Sequence, residues 1–140
     1  MKPAARRKAR KLAVQALYQW LIAQSPMNEI ETQFLSNENL QETDVEYFSD
    51  LIRGVETHVD QLDQHFTPFL DRAIKTLDPV ELCILRLSTY EFAYRPEIPF
   101  RIILNEALEL AKIFGSTDGF KFVNGVLNKV ARQLRPHELI

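Results

Sequence analysis

Cysteine occurs once, tryptophan once and glycine four times in 140 residues. A lone Cys83 has no intrachain partner for a disulfide, which fits a reducing compartment. No apolar run approaches the roughly 18 residues that a bilayer span needs. The basic N-terminal stretch is not followed by an apolar signal segment with a small-residue cleavage site, so a cytoplasmic location is expected, without a membrane partner. There is no phosphate-cradling glycine loop, no Cys/His zinc spacing and no nucleophile elbow. Cys83, inside VELCILRL, reads as a small core hydrophobe. His58 and His65 lack a third ligand of suitable spacing. Glu106 and Glu109, on an amphipathic segment with Lys112, read as a solvated helix face with local ion pairs. No catalytic residue, metal site or cofactor is expected.

The shortage of glycine and the absence of sustained β-branched alternation argue against sheet. With 46% hydrophobic and 26% charged residues, the chain can bury an ordinary core. Residues 1–140 are expected to form one all-α domain, a compact bundle of about seven helices that divides into two packed subdomains near residues 68–79. Pro3 suits a first helical turn, and neither Gly nor Pro interrupts the chain from there to Pro26. Thr43-x-x-Glu46 has the spacing of a capping box ahead of the stripe Phe48, Leu51, Ile52, Val55 and Val59. Asp78 and Pro79 open a helix that Arg95–Pro96 ends. Pro99 opens another, through Ile103, Ala107, Leu110, Ala111 and Phe114, with Gly115 at its C-terminal cap. Ser116 is placed to cap the last helix, whose core stripe is Val123, Val126, Leu127, Val130 and Leu134.

Charge is unevenly placed. The first eleven residues hold Lys2, Arg6, Arg7, Lys8, Arg10 and Lys11 with no acid, although the whole chain nets −2. Residues 28–81 hold thirteen acids against three bases, and residues 82–140 six against eight. A concentrated positive end on an acidic protein engages polyanions locally. The acidic middle repels nucleic acid, and is either a docking surface for a basic protein or a set of solvated helix faces. On the first helix, Arg7, Lys11, Gln15 and Tyr18 fall opposite Ala9, Ala13, Ala16, Leu17 and Trp20, with Arg10 flanking the polar side. Tyr18 can stack on a base, anchor a partner or pack within the chain. On the last helix, Asp118, Lys121, Gly125, Asn128, Lys129 and Arg132 oppose the core stripe, and Phe122 lies at its edge. An aromatic beside lysine and asparagines suits single-stranded RNA, and core packing of Phe120 and Phe122 is the alternative.

The segments MKPAARRKARKLAVQALYQW, NEALELAKIFG and FKFVNGVLNKV resemble, in order and separation, the NusB family of bacterial transcription antitermination proteins. The similarity runs over essentially the whole chain. The resemblance implies an all-helical, non-enzymatic RNA-binding protein. It implies pairing with the small-subunit ribosomal protein NusE on the boxA sequence of nascent RNA, and action in the RNA polymerase antitermination complex on ribosomal RNA operons. It implies RNA contact at Lys2, Arg6, Arg7, Arg10, Asp118, Lys121 and Phe122, and partner contact at Tyr18 and Glu81. Two positions depart from the family pattern: Gly119 replaces a small polar residue, and Lys75 stands in a stretch that relatives keep acidic. Similar helical domains precede the catalytic domain of some RNA cytosine methyltransferases, for which 140 residues leave no room. A protein-interaction module whose basic helix meets an acidic partner is the competing reading.

Overall fold

The computed structural model describes residues 2–37 and 39–138. Helix α1 (Pro3–Ala23) starts with proline in its first turn and runs without a break to Gln24, which takes the left-handed conformation at φ 56° and donates its N–H to the Trp20 carbonyl. Its buried stripe is Ala5, Ala9, Ala13, Val14, Ala16 and Leu17. Small side chains there let neighbouring helices approach closely. Helix α2 (Met27–Asn37) buries Met27, Ile30 and Phe34, with the Phe34 ring 6.0 Å from that of Phe48.

Helix α3 (Val45–Phe66) begins one residue later than the capping-box pattern predicts. Asp44, not Thr43, is the cap, its carboxylate accepting the Tyr47 N–H at 3.1 Å. Asp44 wins because its own N–H is already fixed on the Ala5 carbonyl and its side chain faces Arg6. The helix bends at His58 (φ −114°, ψ 17°), whose ring stacks on Tyr94. Phe48, Leu51, Ile52 and Val55 are buried as the stripe predicts, and Val59, just past the bend, is half-buried.

Helix α4 (Pro79–Tyr94) is capped as expected, Asp78 accepting from the N–H groups of Val80 and Glu81. Leu82, Cys83, Ile84, Leu85, Leu87 and Phe92 bury almost its whole circumference. A helix apolar on all sides belongs at the centre of a bundle, and α1, α3, α5 and α6 all pack on it. Gly54 of α3 allows a close approach to α4, since a Cβ there would lie 2.2 Å from the Tyr90 ring. Burial and the Asp50 carboxylate at 2.8 Å together push the Tyr90 hydroxyl pKa upward.

Helices α5 (Phe100–Phe114) and α6 (Gly119–Leu134) bury the expected stripes, apart from a half-buried Phe114 and Leu134. Gly115 ends α5 in an extended conformation rather than a left-handed one, where a Cβ would sit 2.7 Å from the Ala111 carbonyl oxygen. Ser116 does not cap α6, which starts at Gly119 with Asp118 in the N-cap position; the Ser116 hydroxyl donates to Glu81 instead. The fold of the described residues is thus six α-helices with short 3-10 turns at Thr67–Phe69, Ile74–Thr76 and Pro136–Glu138, slightly fewer than the seven expected. The segment 67–78 does not divide two cores, since Phe66, Leu77 and Leu82 belong to one cluster reaching from Ala9 to Ala131. Arg135 closes the far end of α4, donating to the carbonyls of Glu91, Phe92, Arg95 and Ile98 at 2.8 to 3.3 Å.

Candidate nucleic-acid interface

Lys2, Arg7, Lys8 and Lys11 point outward from the first turns of α1. The Arg7 Nε donates to both Glu106 oxygens, at 3.1 and 3.3 Å, while its terminal amino groups make no hydrogen bond to that carboxylate. Glu106 raises the Arg7 pKa through the hydrogen bond and its charge. Arg6 is half-buried, its guanidinium 4.3 Å above the Tyr47 ring and 3.6 Å from Asp44. Arg10 departs from expectation. It does not flank an exposed face but is 3% exposed, with Nε and Nη2 on the Glu91 carboxylate at 2.9 to 3.1 Å. Tyr47 donates its hydroxyl to the same carboxylate. Burial alone would lower the Arg10 pKa, and the Glu91 charge and hydrogen bonds outweigh it and raise it. Burial, reinforced by Glu91, drives the Tyr47 pKa up. This knot is what pins the basic end of α1 to the core.

The second group of expected residues gathers at the start of α6. Asp118 and Lys121 are exposed and paired at 3.5 Å. Phe122 is half-buried with the Arg72 guanidinium 5.0 Å from its ring centre, so it is neither a free platform nor a full core residue. Glu81 also departs from expectation. It is 6% exposed, accepts the Ser116 hydroxyl at 2.9 Å and lies directly under Gly119, where a Cβ would come within 2.1 Å of its carboxylate oxygen. Helix α6 has no acid in its first turn and no capping side chain. Glu81 adds, from a neighbouring helix, to the negative charge that the N-cap residue Asp118 places at this helix N-terminus, and a Cβ at position 119 would require its carboxylate to shift. Tyr18 stands out from α1 at 40% exposure, one turn before Ile22 at 55%.

The two groups do not converge. Arg10 meets α4 at Glu91, and Gly119 meets it at Glu81, ten positions away, or about 15 Å of helix. Helix α5 and the turn after it span the same interval, from Glu106 beside Arg7 to Ser116 beside Glu81. Sequence patterns missed Arg72, which lies in an irregular acid-rich segment with no period to read. They also missed Glu106 as a holder of arginines, since its partners lie in α1, about a hundred residues away. Among the described residues no group of three His, Cys, Asp or Glu side chains is placed to hold a metal ion, and no helix is long and apolar enough to cross a membrane.

A profile of the NusB family matches residues 7–132. The chain belongs to the NusB family. The transcription antitermination protein NusB of Idiomarina loihiensis is 53% identical over 136 residues, covering 97% of this chain and 98% of that one. NusB of Pseudoalteromonas atlantica is 50% identical over 139 residues and covers 99% of both. Among solved structures, T. maritima NusB superposes with a TM-score of 0.82 at 26% identity over 95% of each chain. A crystal structure of the antitermination factors NusB and NusE in complex with dsRNA gives a TM-score of 0.81 at 25% identity, covering 94% of this chain and 99% of that one. The NusB match spans Arg7, Arg10, Tyr18, Glu81 and the α6 group, and begins after Lys2 and Arg6.

Proposed function

We propose that this chain is a transcription antitermination factor that binds boxA-type single-stranded RNA together with NusE, within the RNA polymerase antitermination complex on ribosomal RNA operons. Residues 1–140 act as one RNA-binding domain in the cytoplasm, by assembling partners rather than by catalysis. The observation that carries this reading is the row of outward cations Lys2, Arg7, Lys8 and Lys11 on a rigid helix of a net acidic protein, in a fold shared with a NusB that was crystallised with NusE and dsRNA. Lys2, Arg6 and Arg7 hold phosphates, which position an RNA without reading its sequence. Phe122 offers one ring face to a base, Lys121 a cation, and Asp118 an acceptor suited to the cytosine amino group. Arg10 contributes by fixing α1 on Glu91, and Glu81 by fixing the start of α6. Tyr18, beside Ile22, is the exposed aromatic anchor for NusE, the kind of residue that dominates protein interfaces.

Titration with a boxA-type single strand, a scrambled strand and the corresponding duplex, each with and without NusE, tests the proposal. Preferential binding of the boxA strand, strengthened by NusE, is expected. Equal binding of all three RNAs would overturn the sequence-reading role, and preference for the duplex would overturn the single-strand assignment. Retention of NusE with no RNA binding at moderate salt would leave a protein-interaction module instead.

A further inference from the structure

A cavity of about 360 Å³ opens between the first turns of α1 and the segment joining α4 to α5. Its volume falls in the range of small-ligand sites. Pro3, Ile98, Pro99 and Ile102 give it an apolar surface, and Ile102 stands 49% exposed at its mouth. Arg7, Glu106 and the exposed amide of Asn105 border the same opening. The charges on the wall are matched in pairs: Arg10 is taken by Glu91, the Arg7 Nε by Glu106, Arg6 by Asp44 and Glu97 by Arg95. Glu106 on the wall disfavours a phosphate inside the cavity, while the Arg7 terminal amino groups and Lys2 favour one just outside it.

We infer that this cavity is a nucleobase slot, which takes one unpaired base of the RNA bound at the α1 end while Arg7 holds the adjoining phosphate. A base is a flat, neutral ring with hydrogen-bonding edges. It matches an apolar surface of prolines and isoleucines bordered by an amide and a carboxylate, because pockets of this kind bind through apolar area and orient through a few polar groups. Asn105 presents both a donor and an acceptor, and Glu106 accepts from ring or amino N–H groups. The inference rests on the RNA-binding reading proposed above and adds to it Ile102, Asn105 and Pro99, none of them basic.

The test compares the intact chain, Ile102→Ala/Asn105→Ala and Arg7→Gln, using a boxA-type RNA and a set of copies each carrying one abasic position. Both altered side chains of the double variant are exposed, so its melting temperature should match that of the intact chain. Its affinity for the unmodified RNA should fall about tenfold to a hundredfold, the worth of one stacked base. One abasic position should cost the intact chain a similar factor and cost the double variant nothing further. Undiminished affinity in the double variant, with a loss in Arg7→Gln, would overturn the slot and leave the RNA reading standing. An equal further loss at every abasic position would overturn it as well. So would a double variant that loses NusE rather than RNA, since the cavity would then belong to a protein surface. No RNA binding by the intact chain would remove the reading on which the slot depends.

Discussion

Arg7 and Arg10 stand three positions apart in one helix, carry the same charge and have opposite roles. Arg7 faces water and touches the core only through Glu106. Arg10 is enclosed with Glu91 and Tyr47. Arg7→Gln should leave the melting temperature nearly unchanged and, by removing one phosphate contact, reduce the slope of log affinity against log salt by about 0.7 for a single strand. Arg10→Gln should cost about 3–5 kcal/mol of stability, because it strands a buried carboxylate. Denaturant melts and salt titrations on both variants check this, and a stable Arg10→Gln that loses RNA would return Arg10 to the surface role. The helical wheel placed Arg7 correctly, since exposure on a regular helix is a local property. It could not place Arg10, whose partner lies 81 residues away in a helix that reads as uniformly apolar. Cys83 illustrates the opposite case, a residue whose apolar surroundings in sequence already indicated burial. Burial pushes its thiol pKa from 9.0 up to about 12. Between those values the unfolded chain loses the proton and the folded chain keeps it, so this contribution to stability is complete below pH 9 and fades as pH rises toward 12. Native protein should resist thiol reagents at pH 8 and react on unfolding.

At the scale of elements, proline and aspartate made several helix starts readable, whereas caps supplied from elsewhere in the fold were not. Asp78 caps α4 from its own sequence. The start of α6 has Asp118 at its N-cap without a side-chain cap bond, and Glu81 packs against it across the bundle, with Gly119 keeping the space open. Glu81→Lys would put a cation under a helix N-terminus and leave the Ser116 hydroxyl without its acceptor. Ser116 is exposed and its hydroxyl can turn to water, so the expected loss is that of the helix-end charge, about 0.3–2 kcal/mol, with faster amide exchange across Phe120–Val123. A direct electrostatic contact between Glu81 and a basic partner would lose its effect as salt screens it. Slow exchange and an unchanged melt in Glu81→Lys would show that Glu81 does not support α6. Phe122→Ala tests the same element from its exposed side. The ring is half-covered by Arg72, so RNA affinity should drop by roughly 1–3 kcal/mol through lost stacking. Stability should drop by less than the 3–5 kcal/mol typical of a fully buried phenylalanine.

For the whole molecule, the central helix sets the distance over which any ligand must act. VELCILRL pointed to burial of Cys83, and the structure extends this to the whole helix, on which α1, α3, α5 and α6 all pack. The undivided core was not implied, because the irregular segment 67–78 resembles a linker until Leu77 is seen packed with Phe66 and Leu82. With Glu91 beneath the α1 group and Glu81 beneath the α6 group, the two sets of residues proposed to contact RNA sit about 15 Å apart along α4. The rise of about 3.4 Å per strand in a duplex is a lower bound for the reach of a single strand, so a dinucleotide, with its one bridging phosphate, reaches only one end, and an RNA of about ten nucleotides reaches both. Arg7→Gln and Lys121→Gln should therefore weaken the longer RNA by factors that multiply in the double variant, since sites this far apart without a shared partner contribute independently. On the shorter RNA the double variant should be no worse than the more damaging single variant. Multiplying losses on a dinucleotide would mean that both ends contact the same nucleotides, which a rigid α4 between them does not allow.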